Sequence, residues 1–472
     1  MADKLTPQQE QAVTNRGGKL LVSAAAGSGK TKVLVDRLLS YLTNPGECTN
    51  LDDFLIITYT KAAASELRSK IAARLSERIS QEPENVHLQR QMQRLYLTKI
   101  STIHGFCAEL LREYAYRLDV PLNFRIADET ECNEIRESVL RKIMTEVYES
   151  DICGEDVFTL IDTQGLGRDD SKIPELICSV YDNARCHLNP DEWLEACQSQ
   201  ACIDSGDDIS VTPWGRFLIC NLQMYLDSQI SVIAACADSL EKCGGMEKAA
   251  VYFRELQFQL VHLRESNTWD DIQKAKKIDY GRLTFPRNNP DPVLTLRVKA
   301  ARDACKQGVA KRTKWFSDDA AQVKADLLAC SSGVRGLIEL VRWFDREYSE
   351  AKRSRRVMDF SDLEQKTLDL LLGKQRTGPT AAAIEISKRF KEVMVDEYQD
   401  SNGVQDAIFS ALTDTRKNCF LVGDVKQSIY QFRLADPGIF LEKYYRFASY
   451  DYVNRVREGR SCSVIIFDLD QK

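Results

Sequence analysis

The 472-residue sequence predicts an α/β fold in which a parallel-sheet domain is interrupted by a large, mostly helical insertion. Three observations support this fold class. Short apolar runs, each followed at once by a helical pattern, occur in both the N-terminal and the C-terminal third of the chain. A glycine-rich turn follows the first of these runs. Between about residues 129 and 350, strand-like alternation nearly vanishes and long helical patterns dominate. Two separated parts of the chain are therefore expected to build one sheet.

Residues 20–31 have the order of a phosphate loop, with an apolar strand, a turn of small residues and glycines, and a helix start. Glycines allow backbone N–H groups to converge on one anion, and the helix directs its positive dipole end to the same point. Lys30 is predicted to reach the β- and γ-phosphates, and Thr31 to hold Mg²⁺. Ala24 stands where the strict pattern has its first glycine. The predicted ATP-binding residues of this loop are Ser23, Ala24, Ala25, Ala26, Gly27, Ser28, Gly29, Lys30 and Thr31.

A short helix is predicted just before the phosphate loop. Thr6 is a suitable helix N-cap, and Pro7 then occupies the first helical position. On this helix, Gln9 offers both a donor and an acceptor, which suits the hydrogen-bonding edge of an adenine. The alternative for Gln9 is an ordinary exposed helix residue without a ligand.

Length and composition predict a cytoplasmic protein of two or three domains. No apolar run approaches the ~18–20 residues that a membrane-spanning helix needs, and Met1–Lys4 does not begin a signal peptide. The 15 cysteines are scattered without a Cys-x-x-Cys pair, which favours reduced thiols over a metal site. The net charge of −6 argues against general coating of nucleic acid. The locally basic stretch 274–314 is either a solvated face or a contact with a phosphate backbone.

Two carboxylates, Asp396 and Glu397, follow the apolar run 393–395. Beside a phosphate loop, an acid at a strand end holds the Mg²⁺ that Thr31 also contacts, and a second acid can polarise the attacking water. We therefore predict Asp396 as the metal-side acid and Glu397 as the general base. Gln427, which follows another apolar strand, is the predicted sensor of the γ-phosphate. The alternatives, a surface acidic pair and a turn glutamine, are disfavoured by the phosphate loop upstream.

Small polar and aromatic side chains lie where three predicted strands end. Ligands of open α/β sheets bind at the carboxyl edge of the strands, and surfaces for single-stranded nucleic acid combine aromatic and hydrogen-bonding groups. The candidates for contact with DNA are Thr58, Tyr59 and Thr60, then Thr102, His104 and Phe106, and finally Tyr430, Phe432 and Arg433. The alternative for the aromatic residues is packing in the core, and for His104 a satisfied core or helix-start histidine.

Taken in order along the chain, these segments resemble the motifs of superfamily-one, UvrD-like DNA helicases. The matching segments are Gln9 with 12–13 (the adenine-reading Q motif), 24–31 (motif I), 58–63 (motif Ia), 102–106 (motif Ib), 396–400 (motif II) and 423–430 (motif III). The wording of 21–31 and of 424–437 is most similar to the AddA type, which is part of a bacterial helicase–nuclease. Alanine at position 24 belongs to that pattern.

The resemblance implies a RecA-like ATP-binding motor domain of the P-loop NTPase class, formed by residues 1–128 and 351–450. It implies a helical insertion subdomain, similar to domain 1B, at 129–350, and a tail at 451–472 that stops before motif IV. It further implies Mg-ATP hydrolysis coupled to 3′→5′ movement on single-stranded DNA. For the AddA type it also implies double-strand break repair and recombination together with a second, AddB-like subunit.

Motifs IV to VI and a nuclease domain have no match in this sequence. We therefore expect the chain by itself to bind ATP weakly, to hydrolyse it poorly, to unwind no DNA and to have no nuclease activity. The alternative is a non-catalytic remnant that binds ATP, DNA or a partner. A small-molecule kinase or GTPase is a poor alternative, because it accounts for neither the aromatic set after motif III nor the insertion.

Overall fold

The computed structural model describes residues 5–25, 27–44, 46–47, 49–118, 120–149, 154–164, 171–201, 203, 206, 208–428, 435–449 and 464–468. The strands are β1 (Gly18–Ser23), β2 (Phe54–Thr58), β3 (Lys99–Thr102), β4 (Arg125–Ile126), β5 (Val357–Met358), β6 (Glu392–Val395), β7 (Asn418–Gly423), β8 (Ala448–Ser449) and β9 (Val464–Asp468). The helices are α1 (Pro7–Thr14), α2 (Lys30–Leu42), α3 (Lys61–Gln81), α4 (Val86–Arg94), α5 (Ile103–Glu113), α6 (Glu129–Glu149), α7 (Glu155–Gln164), α8 (Lys172–Arg185), α9 (Pro190–Ala201), α10 (Pro213–Glu241), α11 (Glu247–Glu265), α12 (Trp269–Ala275), α13 (Pro292–Thr313), α14 (Ala320–Arg355), α15 (Phe360–Leu372), α16 (Ala381–Ser387), α17 (Gly403–Thr413) and α18 (Pro437–Arg446).

Seven of these strands form a parallel sheet in the order β3–β2–β6–β7–β1–β9–β8. Strands β6 and β7, from the C-terminal part of the chain, lie between β2 and β1, from its N-terminal part. Two separated parts of the sequence therefore build one sheet. The α/β fold class predicted from the sequence, a parallel sheet with helical insertions, is confirmed. Because all strands run in the same direction, their carboxyl ends share one edge.

Helices cover both faces of the sheet, and alternate residues of each strand supply the two faces. In β2, Leu55 and Ile57 pack into a cluster with residues of α5, α15, α16 and α17. Their neighbours Phe54 and Ile56 pack into a second cluster with residues of α1, α2, α3 and α4. All residues of β2, β6 and β7 are buried, which explains why these strands are continuous apolar runs in the sequence.

The chain divides into two compact units. The first consists of 1–146, 176–193 and 341–472 and contains the sheet; the second consists of 147–175 and 194–340. The second unit lies inside the predicted insertion of 129–350 but is shorter. Parts of α6, α8 and α14 belong to the first unit because they share aromatic packing there. For example, the rings of Tyr181 and Phe344 lie 5.1 Å apart, centroid to centroid.

The second unit is helical and has its own apolar core. Residues of α10, α11 and α13 meet there, among them Leu222, Phe253 and Val298. Large apolar side chains also lie on its surface, since Met224 is 74% exposed. Among the helices of the described residues, none is both long enough and apolar enough to cross a lipid bilayer.

The last described strand, β9, lies in the segment 451–472 that we expected to be a tail. It pairs in parallel with β1, the strand of the phosphate loop, with Lys19 opposite Val464 and Ser23 opposite Asp468. Its other neighbour is β8. Part of this segment is therefore a sheet strand.

Candidate functional site

The carboxyl ends of β1, β7 and β6 are neighbours in the sheet, and each leads into a segment singled out in the sequence. The phosphate loop follows β1, the pair Asp396–Glu397 follows β6, and a short 3₁₀-helix, Val425–Gln427, follows β7. The strand order brings together side chains that are up to 397 positions apart in the sequence. Sequence patterns place each segment at a strand end, whereas the sheet places them side by side.

The phosphate loop turns through two glycines with left-handed backbone angles. Gly27 has a φ of 76° and Gly29 a φ of 86°, which residues with a Cβ rarely adopt, and α2 begins directly afterwards. Ala24 is different, because its φ is not positive and its N–H donates to Gly423 O at 3.0 Å, extending the pairing of β1 with β7. Alanine therefore fits this position without strain. Ala26, which we predicted to bind ATP, lies outside the described residues.

Gln9 contacts the phosphate loop directly. Its Nε2 donates to Ser28 O at 2.8 Å, and its Oε1 accepts from Thr6 N at 2.9 Å in a capping box. The predicted helix start, with Thr6 as N-cap and Pro7 at the first helical position, is confirmed. A Cβ on Gly29 would lie 3.2 Å from Gln9 Nε2, so this glycine also makes room for the glutamine. A role of Gln9 toward adenine stays a prediction.

The side chains of Lys30, Glu397 and Gln427 contact one another. Lys30 Nζ donates to Glu397 Oε2 at 3.0 Å and to Gln427 Oε1 at 2.8 Å. The lysine side chain is 9% exposed, whereas the glutamate side chain is 41% exposed. The three residues predicted as phosphate ligand, general base and γ-phosphate sensor therefore lie at one point.

Two further carboxyl groups lie in the same segment, on Asp396 and Asp400. Burial, together with the nearby carboxylate of Glu397, raises the pKa of Asp396 to about 6. The same two causes, in the same order, raise the pKa of Asp400 to about 6. Asp396 N donates to Ile57 O at 3.0 Å, which fixes this acid at the end of the pairing between β6 and β2. This edge of the sheet therefore carries concentrated negative charge.

The donor set at this edge fits Mg²⁺. Carboxylate and hydroxyl oxygens, as on Asp396 and Thr31, are the ligands that this ion prefers. The raised pKa values of Asp396 and Asp400 reflect uncompensated negative charge that a divalent cation would stabilise. In the described part of the phosphate loop, the buried Ser28 Oγ has no hydrogen-bond partner.

The backbone at Glu397 is strained. Its φ of 52° and ψ of 41° lie in the left-handed helical region, which costs a non-glycine residue about 1–2 kcal/mol. The following 3₁₀-helix, Tyr398–Asp400, is buried and keeps the residue there. Strain of this kind concentrates at functional sites, where it orients a side chain.

The threonines predicted to contact DNA bond to their own backbone segments. Thr60 Oγ1 accepts from Ala63 N and caps α3, and Thr102 Oγ1 accepts from Gly105 N and caps α5. Thr58 Oγ1 donates to Thr60 O at 3.2 Å. Tyr59 contacts the hydroxyl of Ser401 through its own hydroxyl, and burial raises its pKa. These residues shape the carboxyl edge, and their contact with DNA stays a prediction.

His104 has a carboxylate partner and an aromatic partner. Its Nε2 lies 3.0 Å from Glu364 Oε1, and its ring stacks on Phe360 at 4.3 Å between centroids. Phe360 is 54% exposed. Sequence reasoning did not single out this phenylalanine; the signal that could have found it was an aromatic residue at the first position of a helix that follows a strand.

Phe106 occupies a different environment. It is 4% exposed and lies in the core, where its ring centroid is 6.2 Å from that of Phe390. Its predicted contact with DNA is not supported by this position, because the ring is enclosed by other apolar side chains. Tyr430, Phe432 and Arg433, also predicted to contact DNA, lie outside the described residues.

Comparison with known proteins gives an independent result. The family model of the UvrD/REP helicase N-terminal domain matches residues 5–448. The chain is 37% identical over 456 residues to the AddA subunit of the ATP-dependent helicase/nuclease from Geobacillus kaustophilus, covering 94% of this chain and 37% of that protein. It is 36% identical over 456 residues to the corresponding protein of Acetivibrio thermocellus, covering 93% and 36%, and 36% identical over 451 residues to that of Listeria innocua, covering 93% and 36%. The chain thus spans little more than a third of the length of these relatives, and it belongs to the UvrD/REP helicase family, as its ordered motifs predicted.

Proposed function

We propose that this chain is the ATP-hydrolysing motor part of an AddA-type DNA helicase that moves 3′→5′ on single-stranded DNA. The observation that carries the proposal is the double contact of Lys30 Nζ with Glu397 and Gln427. A phosphate-loop lysine, a general base and a polar sensor within hydrogen-bond distance are the parts that hydrolysis of a γ-phosphate requires. The direction of movement and the role in double-strand break repair rest on the resemblance to the AddA type.

The chemistry begins with an exchange of partners at Lys30. An oxygen of the γ-phosphate competes with Glu397 Oε2 and Gln427 Oε1 for the ammonium group, because a phosphate oxygen is a strong charged acceptor. Once Lys30 donates to the phosphate, the carboxylate of Glu397 is free to accept the proton of an attacking water. Gln427, released at the same moment, can hydrogen-bond to the phosphate or to that water.

Thr31 and Asp396 would hold Mg²⁺, which when bound neutralises charge that develops on the phosphate oxygens. The backbone N–H groups of the phosphate loop and the N-terminus of α2 add positive potential at the same place. Lys30 therefore contributes one part of a larger electropositive cradle, and the acids lie at its rim.

We propose that DNA lies along the same edge, next to the segments that follow β2 and β3. The exposed ring of Phe360, supported from behind by His104, offers a flat apolar surface on which a base can stack. Duplex DNA ends and a second, AddB-like subunit are the further partners proposed from the resemblance.

The experiment is nucleotide binding and hydrolysis by the purified 472-residue chain. We expect Mg–mant-ATP to bind, and single-stranded DNA to stimulate hydrolysis measured at enzyme excess. Lys30→Ala is expected to lower the rate about 10²-fold or more, since a charged group at the transferred phosphate is lost. Glu397→Gln is expected to bind mant-ATP and to hydrolyse it poorly.

Lys388→Ala serves as the matched control, because Lys388 is an exposed lysine at the end of α16, outside the site. A wild-type chain that binds no nucleotide contradicts the proposal. Binding and hydrolysis that are equal in wild type and Lys30→Ala also contradict it.

A further inference from the structure

A closed circuit of hydrogen bonds connects the general base with the sensor loop, and the amide of Gln399 completes it. We call this arrangement the Gln399 circuit; it comprises Lys30, Glu397, Gln399 and the segment 424–427. Lys30 closes one side by donating to both Glu397 and Gln427. Gln399 closes the other side by contacting both Glu397 and the backbone of Asp424.

The amide group of Gln399 is fully used. Its Nε2 donates to Glu397 Oε2 at 2.9 Å and to Asp400 Oδ2 at 3.3 Å. Its Oε1 accepts from Asp424 N at 2.9 Å. The residue is 2% exposed, so water does not compete for these bonds. An amide is the side-chain group that can donate to a carboxylate and accept from a backbone N–H at the same time without carrying charge.

Gly423 makes room for this amide. A Cβ on Gly423 would lie 2.5 Å from Gln399 Oε1 and 2.8 Å from a ring carbon of Phe440. The φ of Gly423 is not positive, so backbone strain does not explain the glycine. The close approach of Gln399 to the end of β7 explains it.

The position of Asp424 determines where the sensor loop begins. Asp424 Oδ1 accepts from Lys426 N at 2.9 Å, and Asp424 O accepts from Gln427 N at 2.9 Å. These bonds form the 3₁₀-helix Val425–Gln427, with Asp424 as its N-cap. A displacement of Asp424 N therefore moves the backbone that carries Gln427.

We propose that Gln399 is a positioning residue for ATP hydrolysis that orients the carboxylate of Glu397 and couples it to the Gln427 loop. The inference rests on the proposed function, because it assigns Glu397 and Gln427 their roles there. Glu397 Oε2 accepts from both Lys30 Nζ and Gln399 Nε2. When a phosphate takes Lys30, Gln399 remains as the donor that holds this oxygen. Movement of Gln427 toward the phosphate is transmitted through Asp424 N–H to the same amide.

Three variants of the full chain test this inference. Gln399→Met has a similar volume and loses both halves of the amide. Gln399→Glu keeps an acceptor for Asp424 N–H, loses the donor to Glu397, and regains a donor when it is protonated. Gln91→Met is the matched control, because Gln91 is 1% exposed, donates to Asn50 Oδ1 at 2.8 Å and accepts from Leu51 N at 2.9 Å.

The first measurement separates binding from hydrolysis. We expect both Gln399 variants to bind Mg–mant-ATP like the wild type and to hydrolyse it about 10- to 100-fold more slowly, since a misplaced base costs this much. The deficit of Gln399→Glu should narrow as the pH falls from 8 to 6, because its protonated form again donates to Glu397. A purely structural role predicts no such recovery.

The second measurement is hydrogen exchange in peptides that cover 418–428, without nucleotide. We expect faster exchange in Gln399→Met, and wild-type exchange in Gln399→Glu and Gln91→Met. Unchanged exchange in Gln399→Met overturns the inference, as does equal loss of hydrolysis in Gln399→Met and Gln91→Met. Because exchange needs no nucleotide, a wild-type chain that fails to bind mant-ATP refutes the proposed function and leaves this measurement decisive for the circuit.

Discussion

Arg37 and Glu392 form a buried, two-pronged ion pair between α2 and β6. Arg37 Nε donates to Glu392 Oε2 at 2.8 Å and Arg37 Nη2 donates to Glu392 Oε1 at 2.6 Å, and both side chains are at most 2% exposed. Arg37 Nη1 also donates to the carbonyl oxygens of Ala12 and Asn15 at the end of α1. One guanidinium therefore joins the helix that carries Gln9, the helix that follows the phosphate loop, and the strand that leads to Asp396.

The Arg37–Glu392 pair predicts a large loss of stability when one partner is removed. Arg37→Leu should lower the free energy of unfolding by about 3–5 kcal/mol, because it leaves a carboxylate buried without a counter-charge. Arg37→Leu/Glu392→Leu should recover part of this loss. Urea denaturation followed by circular dichroism measures both values. Arg74→Leu, at a partly exposed pair with Asp36, is the control and should change stability by about 0–1 kcal/mol. A single variant as stable as this control contradicts the prediction.

Asp400 predicts a pH-dependent stability. Its folded-state pKa is raised to about 6, so the folded chain binds more protons than the unfolded chain between about pH 4 and 6. Stability from this group therefore falls as the pH rises through that range and stays low above it. Asp400→Asn should be more stable than the wild type by about 1–3 kcal/mol at pH 7.5 and equal to it below pH ~4.

Urea midpoints measured between pH 4 and 8 in magnesium-free buffer test this sign. The exposed acid Asp318 provides the control, since Asp318→Asn should show no such pH-dependent gain. A wild-type chain whose stability relative to Asp400→Asn rises with pH would show that the carboxylate is stabilised in the folded state, contrary to the expectation.

Phe360 predicts a loss of DNA affinity without a loss of stability. Phe360→Ala should weaken binding of a single-stranded oligonucleotide by about 1–3 kcal/mol, the cost of one base–aromatic stack, which is roughly 5- to 150-fold in Kd. Fluorescence anisotropy measures the affinity. Tyr96→Ala is the control, because Tyr96 is 74% exposed and precedes β3, so it lies toward the amino edge of the sheet. Equal affinity of Phe360→Ala and this control excludes the stacking role.

Phe106 predicts the opposite outcome. Phe106→Ala should lower the free energy of unfolding by about 3–5 kcal/mol, because it leaves a cavity in the core beside Phe390. At temperatures where the variant is folded, its DNA affinity should equal that of the wild type. Thermal denaturation and anisotropy at about 10 °C, below the unfolding transition of small domains, separate the two effects. A folded Phe106→Ala chain with reduced affinity would restore the DNA contact that the sequence suggested.

Sequence patterns predicted the parts of the site that depend on short stretches of chain. The strand, the glycine turn and the helix start at 20–31 follow from apolar spacing and from the backbone freedom of Gly27 and Gly29. The acids after β6 and Gln427 after β7 were placed correctly at strand ends, because the apolar run before each is continuous. Phe106 and Phe360 could not be sorted in this way, since an aromatic near a helix start is compatible with either environment.

By itself, the sequence determined the α/β class, the phosphate loop and the family, because each is written in residues close together in the chain. The tertiary structure decided that β6 and β7 lie between β2 and β1, that β9 pairs with β1, and that Gln399 meets both Glu397 and Asp424. Strand order and buried side-chain contacts depend on which distant segments exclude water together. No local periodicity records that choice.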